Sequence, residues 1–198
     1  MASDNLDFFD STTKATKTVA YAHNEIHGGS AYNAHFNNTT TSDDDHRTAI
    51  AFKTPNTTKW AHAEFHVSAS SPAEVFLLEA PTIVATATAG TAVTSFNRNR
   101  NSSNVSGILS IDSTPVATKY NTFNEAELVT EQFTGVGTEL DSITLAGGTG
   151  PRVVGGASRG EHEWVLKQNT IYILYIQNIG ANANVHTIGI DWYEHTNK

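Results

Sequence analysis

The chain has 198 residues, 38% hydrophobic and 16% charged, with a polar balance carried by Thr, Asn, Ser and Gly. It is too weakly charged for a solvated disordered chain and too poor in Leu, Lys and Glu for a helical bundle, so composition favours strands and turns. The absence of Cys excludes disulfide, thiolate-nucleophile and Cys-ligated metal chemistry, and a formal charge of −8 with no basic patch argues against a nucleic-acid partner.

Residues 1–18 are polar and Thr-rich and read as a flexible, extended N-terminal arm. Its apolar cluster Leu6, Phe8 and Phe9 suits docking on another subunit. No basic region precedes an apolar run at the amino end, and nowhere do about 18 apolar residues follow one another, so neither a signal peptide nor a membrane partner is expected.

From Tyr21 onward the dominant period is two, and residues 19–198 read as a single domain. Short strands are expected at Ala31–Phe36, Thr48–Phe52, Glu74–Leu78, Thr82–Thr88, Ala92–Phe96, Ile108–Ile111, Val116–Tyr120, Glu127–Phe133, Ile143–Ala146 and Glu163–Leu166. Three longer ones carry more information. Lys59–Val67 sets Ala61, Ala63, Phe65 and Val67 on one face and Trp60, His62, Glu64 and His66 on the other, the pattern of a half-buried strand. Thr170–Ile176 is apolar on both faces and reads as a central strand covered on two sides, by its partner sheet and by a loop or a neighbouring subunit. Val185–Tyr193 alternates again, with His186, Ile188, Ile190 and Trp192 together.

Turn clusters fall between these segments, at His27–Ser30, Asn37–Asn38, Thr54–Asn56, Ser70–Pro72, Asn97–Asn104 and Ala146–Gly160. The best helix candidate, Asn124–Phe133, reads equally well as a strand. Strands at this spacing predict an all-β fold, an antiparallel β-sandwich of jelly-roll-like type.

Several motifs invite chemistry. Gly156–Gly160 matches G-x-S-x-G around Ser158, with Asp191 and His195 downstream, but a Gly-rich loop precedes the Ser and a strand-like segment follows it, where a nucleophile elbow needs a buried strand before the Ser and a helix after it. No catalytic residue is assigned. His23/His27 and His62/His66 have metal-like spacing only on a helix; on a strand four residues span about 13 Å. No metal or other cofactor is therefore expected. Same-face pairs such as His62 with Glu64 would need ligands from another strand or subunit. Asp43–Asp45 reads as a solvated acidic turn. Trp60, Trp164 and Trp192 are candidate sugar-stacking platforms that fit core or interface packing better. Arg98 and Arg100, set among Asn residues, could grip a carboxylate bidentately.

Five blocks, YAHNEIHGGSAY (21–32), TPNTTKWAH (54–62), AVTSFNRNRNSSNVSG (92–107), WVLKQNTIYILYI (164–176) and IDWYEH (190–195), resemble a group of small virion-associated proteins of tailed phages, of the capsid-decoration or head-fibre-like type. The likeness spans most of the chain after Thr18 and transfers no catalytic residue. It implies a non-enzymatic decoration subunit, made in the host cytoplasm and placed on the outer capsid surface. The expected partners are the major capsid protein and further copies of itself in a homotrimer, with a glycan or host surface as the alternative. A locally paired, thiol-free sandwich suits that role, and Leu6, Phe8, Phe9, Trp60, His62, His66, Arg98 and Arg100 are the contact candidates.

Overall fold

The computed structural model describes residues 21–38, 47–83, 91–108, 121–123, 133–146, 163–180 and 183–196. Among them are one helix, α1 (Tyr21–Gly28), and the strands β1 (Ala31–Asn38), β2 (Arg47–Lys53), β3 (Lys59–Ala69), β4 (Ala73–Glu79), β5 (Thr82–Ile83), β6 (Thr91–Ala92), β7 (Phe96–Asn97), β8 (Asn121–Phe123), β9 (Phe133–Gly135), β10 (Thr138–Leu145), β11 (Trp164–Leu166), β12 (Ile171–Asn178) and β13 (His186–Thr196). The fold is all-β. Two antiparallel sheets, ordered β11-β3-β13-β1-β7 and β10-β4-β12-β2-β8-β6, form a sandwich, and β5 pairs with β9 apart from them.

Alternation along the long strands builds the core. β1, β3 and β13 turn Tyr32, Ala34, Ala63, Val67, Ile188, Ile190 and Trp192 inward, and β2, β4 and β12 answer with Ile50, Phe52, Val75, Leu77, Tyr172, Leu174 and Ile176. Phe52 stacks on Tyr172 at 5.6 Å between ring centroids and lies 6.3 Å from Phe65 of the opposite sheet. Burial pushes the Tyr32 phenol up to about 12, with Glu194 adding to the effect. β12 is central in its sheet, as its apolar sequence implies. On the face turned away from the core, Ala49, Ala51, Leu78 and Ile173 form a second buried cluster with Phe76 and Tyr175 beside it. The both-face apolarity of β12 is thus satisfied within the single chain.

Three features depart from the sequence reading. The period of two does not start at Tyr21: residues 21–28 are helical, a segment too short to carry a visible apolar stripe. Its end follows from Gly29, whose φ of +72° is open to glycine at no steric cost. Ser30 N–H donates to Glu25 O and Gly29 N–H to Ile26 O, a Schellman-type stop. Pairing is not local either. Among the described residues none of the hydrogen-bonded strand pairs joins consecutive strands, and in the stretches β1–β4, β6–β8 and β10–β13 successive strands alternate between the two sheets. Finally, Ala92–Phe96 is not one strand but the two short pieces β6 and β7, which lie in different sheets.

The expected arm and the segments 109–120 and 124–132 lie outside the described residues. Among the described residues no helix is long and apolar enough to cross a membrane.

Phe52 is fully buried and Val105 is 79% exposed. Phe52→Ala is expected to cost about 3–5 kcal/mol of unfolding free energy, from lost transfer energy plus the cavity left behind. Val105→Ala is expected to stay within about 0.5 kcal/mol of the parent. Urea titrations followed by Trp fluorescence read both.

Candidate functional site

β3 and β13 run antiparallel along their whole lengths, opposing Trp60 to His195, His62 to Tyr193, Glu64 to Asp191 and His66 to Gly189. Because Ala61, Ala63 and Val67 face the core, these partners project from the outer face of the five-stranded sheet. β11 sets Val165 opposite His62 at one side. On the other side β1 sets Asn33 opposite Asp191, and β7 sets Phe96 opposite Asn33. The result is one surface that runs from exposed Trp60 and Val165 across a band of histidines and carboxylates to exposed Phe96.

Its side chains are held by one another. The His62 ring stacks on Tyr193 at 4.7 Å and 14°. His62 Nδ1 is 2.5 Å from Glu163 Oε1, to which the Tyr193 hydroxyl also donates at 2.6 Å. His62 Nε2 meets His195 Nε2 at 2.7 Å. Farther along the face, Asp191 Oδ2 is 3.6 Å from Arg98 Nη1 and 3.7 Å from His66 Nε2. The Arg100 guanidinium lies over the Phe96 ring, 5.7 Å from its centroid. Trp60, His62, His66, Arg98 and Arg100, five contact candidates drawn from the sequence, are therefore on or beside the same face. Leu6, Phe8 and Phe9 lie outside the described residues.

The Asn-rich segment that carries the two arginines is a built loop. Asn99 N–H donates to Asn97 Oδ1 at 2.9 Å and Asn101 N–H to Asn99 Oδ1 at 3.1 Å, consecutive side-chain-to-backbone turns. The amides of Asn97 and Asn99 donate to Gly29 O and His27 O, each at 2.9 Å, so the loop satisfies carbonyls that the end of α1 leaves open. Its far end is tied inward. The buried Glu194 carboxylate accepts from Ser106 Oγ at 2.6 Å, Gly107 N at 2.9 Å and Trp192 Nε1 at 3.1 Å. A Cβ on Gly107 would sit 2.9 Å from Glu194 Oε2, which explains glycine there.

No protein-family model matches the chain, and no curated protein or solved structure shows significant similarity to it.

Asp191 and His195 share the outer face of β13 four residues apart, about 13 Å along a strand. They engage different partners, Arg98 and His66 for the one and His62 for the other. Ser158 and the Asp43–Asp45 turn lie outside the described residues. His23 and His27 fall on α1 rather than on a strand, with their Nε2 atoms 3.0 Å apart. Among the described residues no group of three or more His, Asp or Glu gathers as a metal cage. Trp192 is buried in the core, Trp164 packs against it and Trp60 is 39% exposed. Among the members of the face that the sequence reading did not assign to it are Glu163, Asp191, Tyr193 and His195, with Val165, Asn33 and Phe96. Tyr193 and His195 have the opposite parity to Ile188, Ile190 and Trp192, a signal present in the alternation.

A second buried carboxylate, Glu79, accepts from Lys167 Nζ at 2.6 Å and from the Tyr172 hydroxyl at 2.8 Å. Burial alone would raise it, but the hydrogen bonds from Lys167 and Tyr172 and the ammonium charge outweigh burial and hold it below the usual carboxylate range. A folded value below the unfolded one stabilises the fold above the ordinary carboxylate range, and that contribution is lost as pH falls through the lowered value. Glu79→Gln is therefore expected to flatten part of the acid limb of stability, seen as a smaller drop in urea midpoint between roughly pH 6 and pH 3 than in the parent.

Proposed function

We propose that this chain is a structural virion protein, a decoration subunit on the outer surface of a tailed-phage capsid, and that it uses the outer face of the five-stranded sheet to contact the major capsid protein and further copies of itself. The observation that carries the reading is the convergence on that face of Trp60, His62, His66, Arg98 and Arg100, with apolar Val165 and Phe96 at its margins. A sheet face with aromatic and Arg anchors, and with neighbours that fix its side chains, loses little conformational entropy on docking. The resemblance of five blocks of the sequence to virion-associated phage proteins supports the same role. The apolar outer side of β12 is already buried in the single chain, so a homotrimer would form through the five-stranded sheet rather than through β12.

The competing reading is a glycan- or receptor-binding module. Trp60 favours it, as an exposed ring able to stack on a sugar. A single platform is less than the lined groove such modules use.

Electron cryo-microscopy of particles from the phage that encodes the chain is expected to reveal the sandwich on the outer shell; its density in the tail or its absence from the particle would reject the proposal. The double variant Trp60→Ala/Arg100→Ala is expected to keep the far-UV spectrum of the parent while sedimenting with stripped capsids at least tenfold more weakly, since aromatic and Arg anchors each contribute about 2 kcal/mol or more where they are hot spots. Undiminished co-sedimentation would move the contact to another surface.

A further inference from the structure

We propose that His62 and His195 form a two-histidine binding site for a divalent late first-row transition-metal ion such as Zn2+ or Cu2+, with the remaining coordination positions open to water. The two residues stand on adjacent central strands of the outer face, on β3 and β13, with ring centroids 4.5 Å apart and planes inclined at 42°. Each Nδ1 rests on an oxygen acceptor: His62 Nδ1 on Glu163 Oε1 at 2.5 Å, and His195 Nδ1 on Thr196 O at 3.1 Å. A carboxylate and a backbone carbonyl accept hydrogen bonds, so both Nδ1 atoms carry the proton and both Nε2 atoms present their lone pairs.

The two Nε2 atoms face each other across 2.7 Å. Two neutral imidazoles in this tautomer repel at that distance, and a cation between them removes the repulsion. A single shared proton would serve. A metal ion serves equally, and the surroundings match its needs. Metal-bound histidines characteristically donate their other ring N–H to a carboxylate or a backbone carbonyl, which fixes the tautomer and raises the basicity of the ligating nitrogen. Imidazole nitrogen suits Zn2+, Ni2+ and Cu2+. The Tyr193 ring stacked on His62, and its hydroxyl on Glu163, brace the same carboxylate–imidazole pair. A tetrahedral ion with bonds of about 2.0–2.1 Å separates its two nitrogens by about 3.3 Å, about 0.6 Å more than their present spacing, and the two rings must also turn so that both lone pairs converge on it. Where the pair shares a proton, the ion takes its place and the proton leaves to solvent.

The other close pair, His23 and His27 on α1, has the i, i+4 helical spacing that also suits a metal ion, so it is removed from the protein used in the test. Calorimetric titration of the full-length His23→Ala/His27→Ala protein with Zn2+ should give one site, which is lost when His195→Ala is added. Glu163→Gln, which keeps both ligands and weakens the support of His62, should bind about 10–100-fold more weakly. In the His23→Ala/His27→Ala background, electron paramagnetic resonance of one equivalent of Cu2+ should register two imidazole nitrogens, a readout that does not depend on how His195→Ala folds. Zn2+ binding unchanged by His195→Ala in that background, with the protein folded, or a Cu2+ spectrum with one nitrogen or none, would overturn the site and leave the pair as a proton-sharing contact. Capsid attachment does not enter either measurement, so the site stands or falls separately from the decoration role.

Discussion

The register of β13 is the constraint on which both the interior and the outer face depend. Its even-numbered residues, His186, Ile188, Ile190, Trp192 and Glu194, enter the sandwich, and its odd-numbered residues supply the outer face with Asp191, Tyr193 and His195. A slip of one residue against β1 and β3 would exchange the two sets, expelling Trp192 and drawing Asp191 and His195 into an apolar interior. Buried polar groups pin the strand at both ends. At its start, His186 meets Thr48 Oγ1 at 2.9 Å and Asn178 Oδ1 at 2.8 Å, tying β13 to β2 and β12 of the other sheet. Near its end, the Glu194 carboxylate gathers Ser106, Gly107 and Trp192. Leaving any of these groups buried without a partner costs about 1–3 kcal/mol, so the correct register is selected by penalty as well as by packing.

The sandwich was legible because period-two alternation is a local property. The split of β3 into Ala61, Ala63, Phe65 and Val67 against Trp60, His62, Glu64 and His66 matches the inner and outer faces observed, as does the inward set His186, Ile188, Ile190 and Trp192 on β13. Partner choice was not legible, since nothing in a single alternating segment says which strand lies beside it. His62 and Glu163 are 101 residues apart in sequence and His62 and His195 are 133 apart, and only the order β11-β3-β13 brings them together. The helix at 21–28 was hidden for a different reason: eight residues give little more than two turns, and the Gly28-Gly29 pair that stops it reads just as well as a turn between strands.

The two sheets differ in how they treat their outer sides. β2, β4 and β12 carry Ala49, Ala51, Leu78 and Ile173 on that side, and these apolar side chains are buried within the chain. The five-stranded sheet instead keeps an outer side whose polar groups bond one another, Glu163 with His62 and Tyr193, and Asp191 with Arg98 and His66. Such a surface stays soluble while free, and its side chains are already close to one arrangement. The Asn ladder at Asn97–Asn101 extends the same economy to the edge, holding Arg98 and Arg100 on a loop with backbone turns closed by its own side chains.

The absence of sequential pairing has a further consequence when the protein is made. β12 and β13 lie in the interior of their sheets, and they hydrogen-bond to β1, β2, β3 and β4, which leave the ribosome far earlier. At about 5–20 residues per second, translation leaves these early strands waiting on the order of ten seconds with open edges and an uncovered apolar side. No hairpin can shelter them in that interval, because none of the observed pairs is between neighbouring strands. The edges that β12 and β13 fill are therefore the last in these sheets to close.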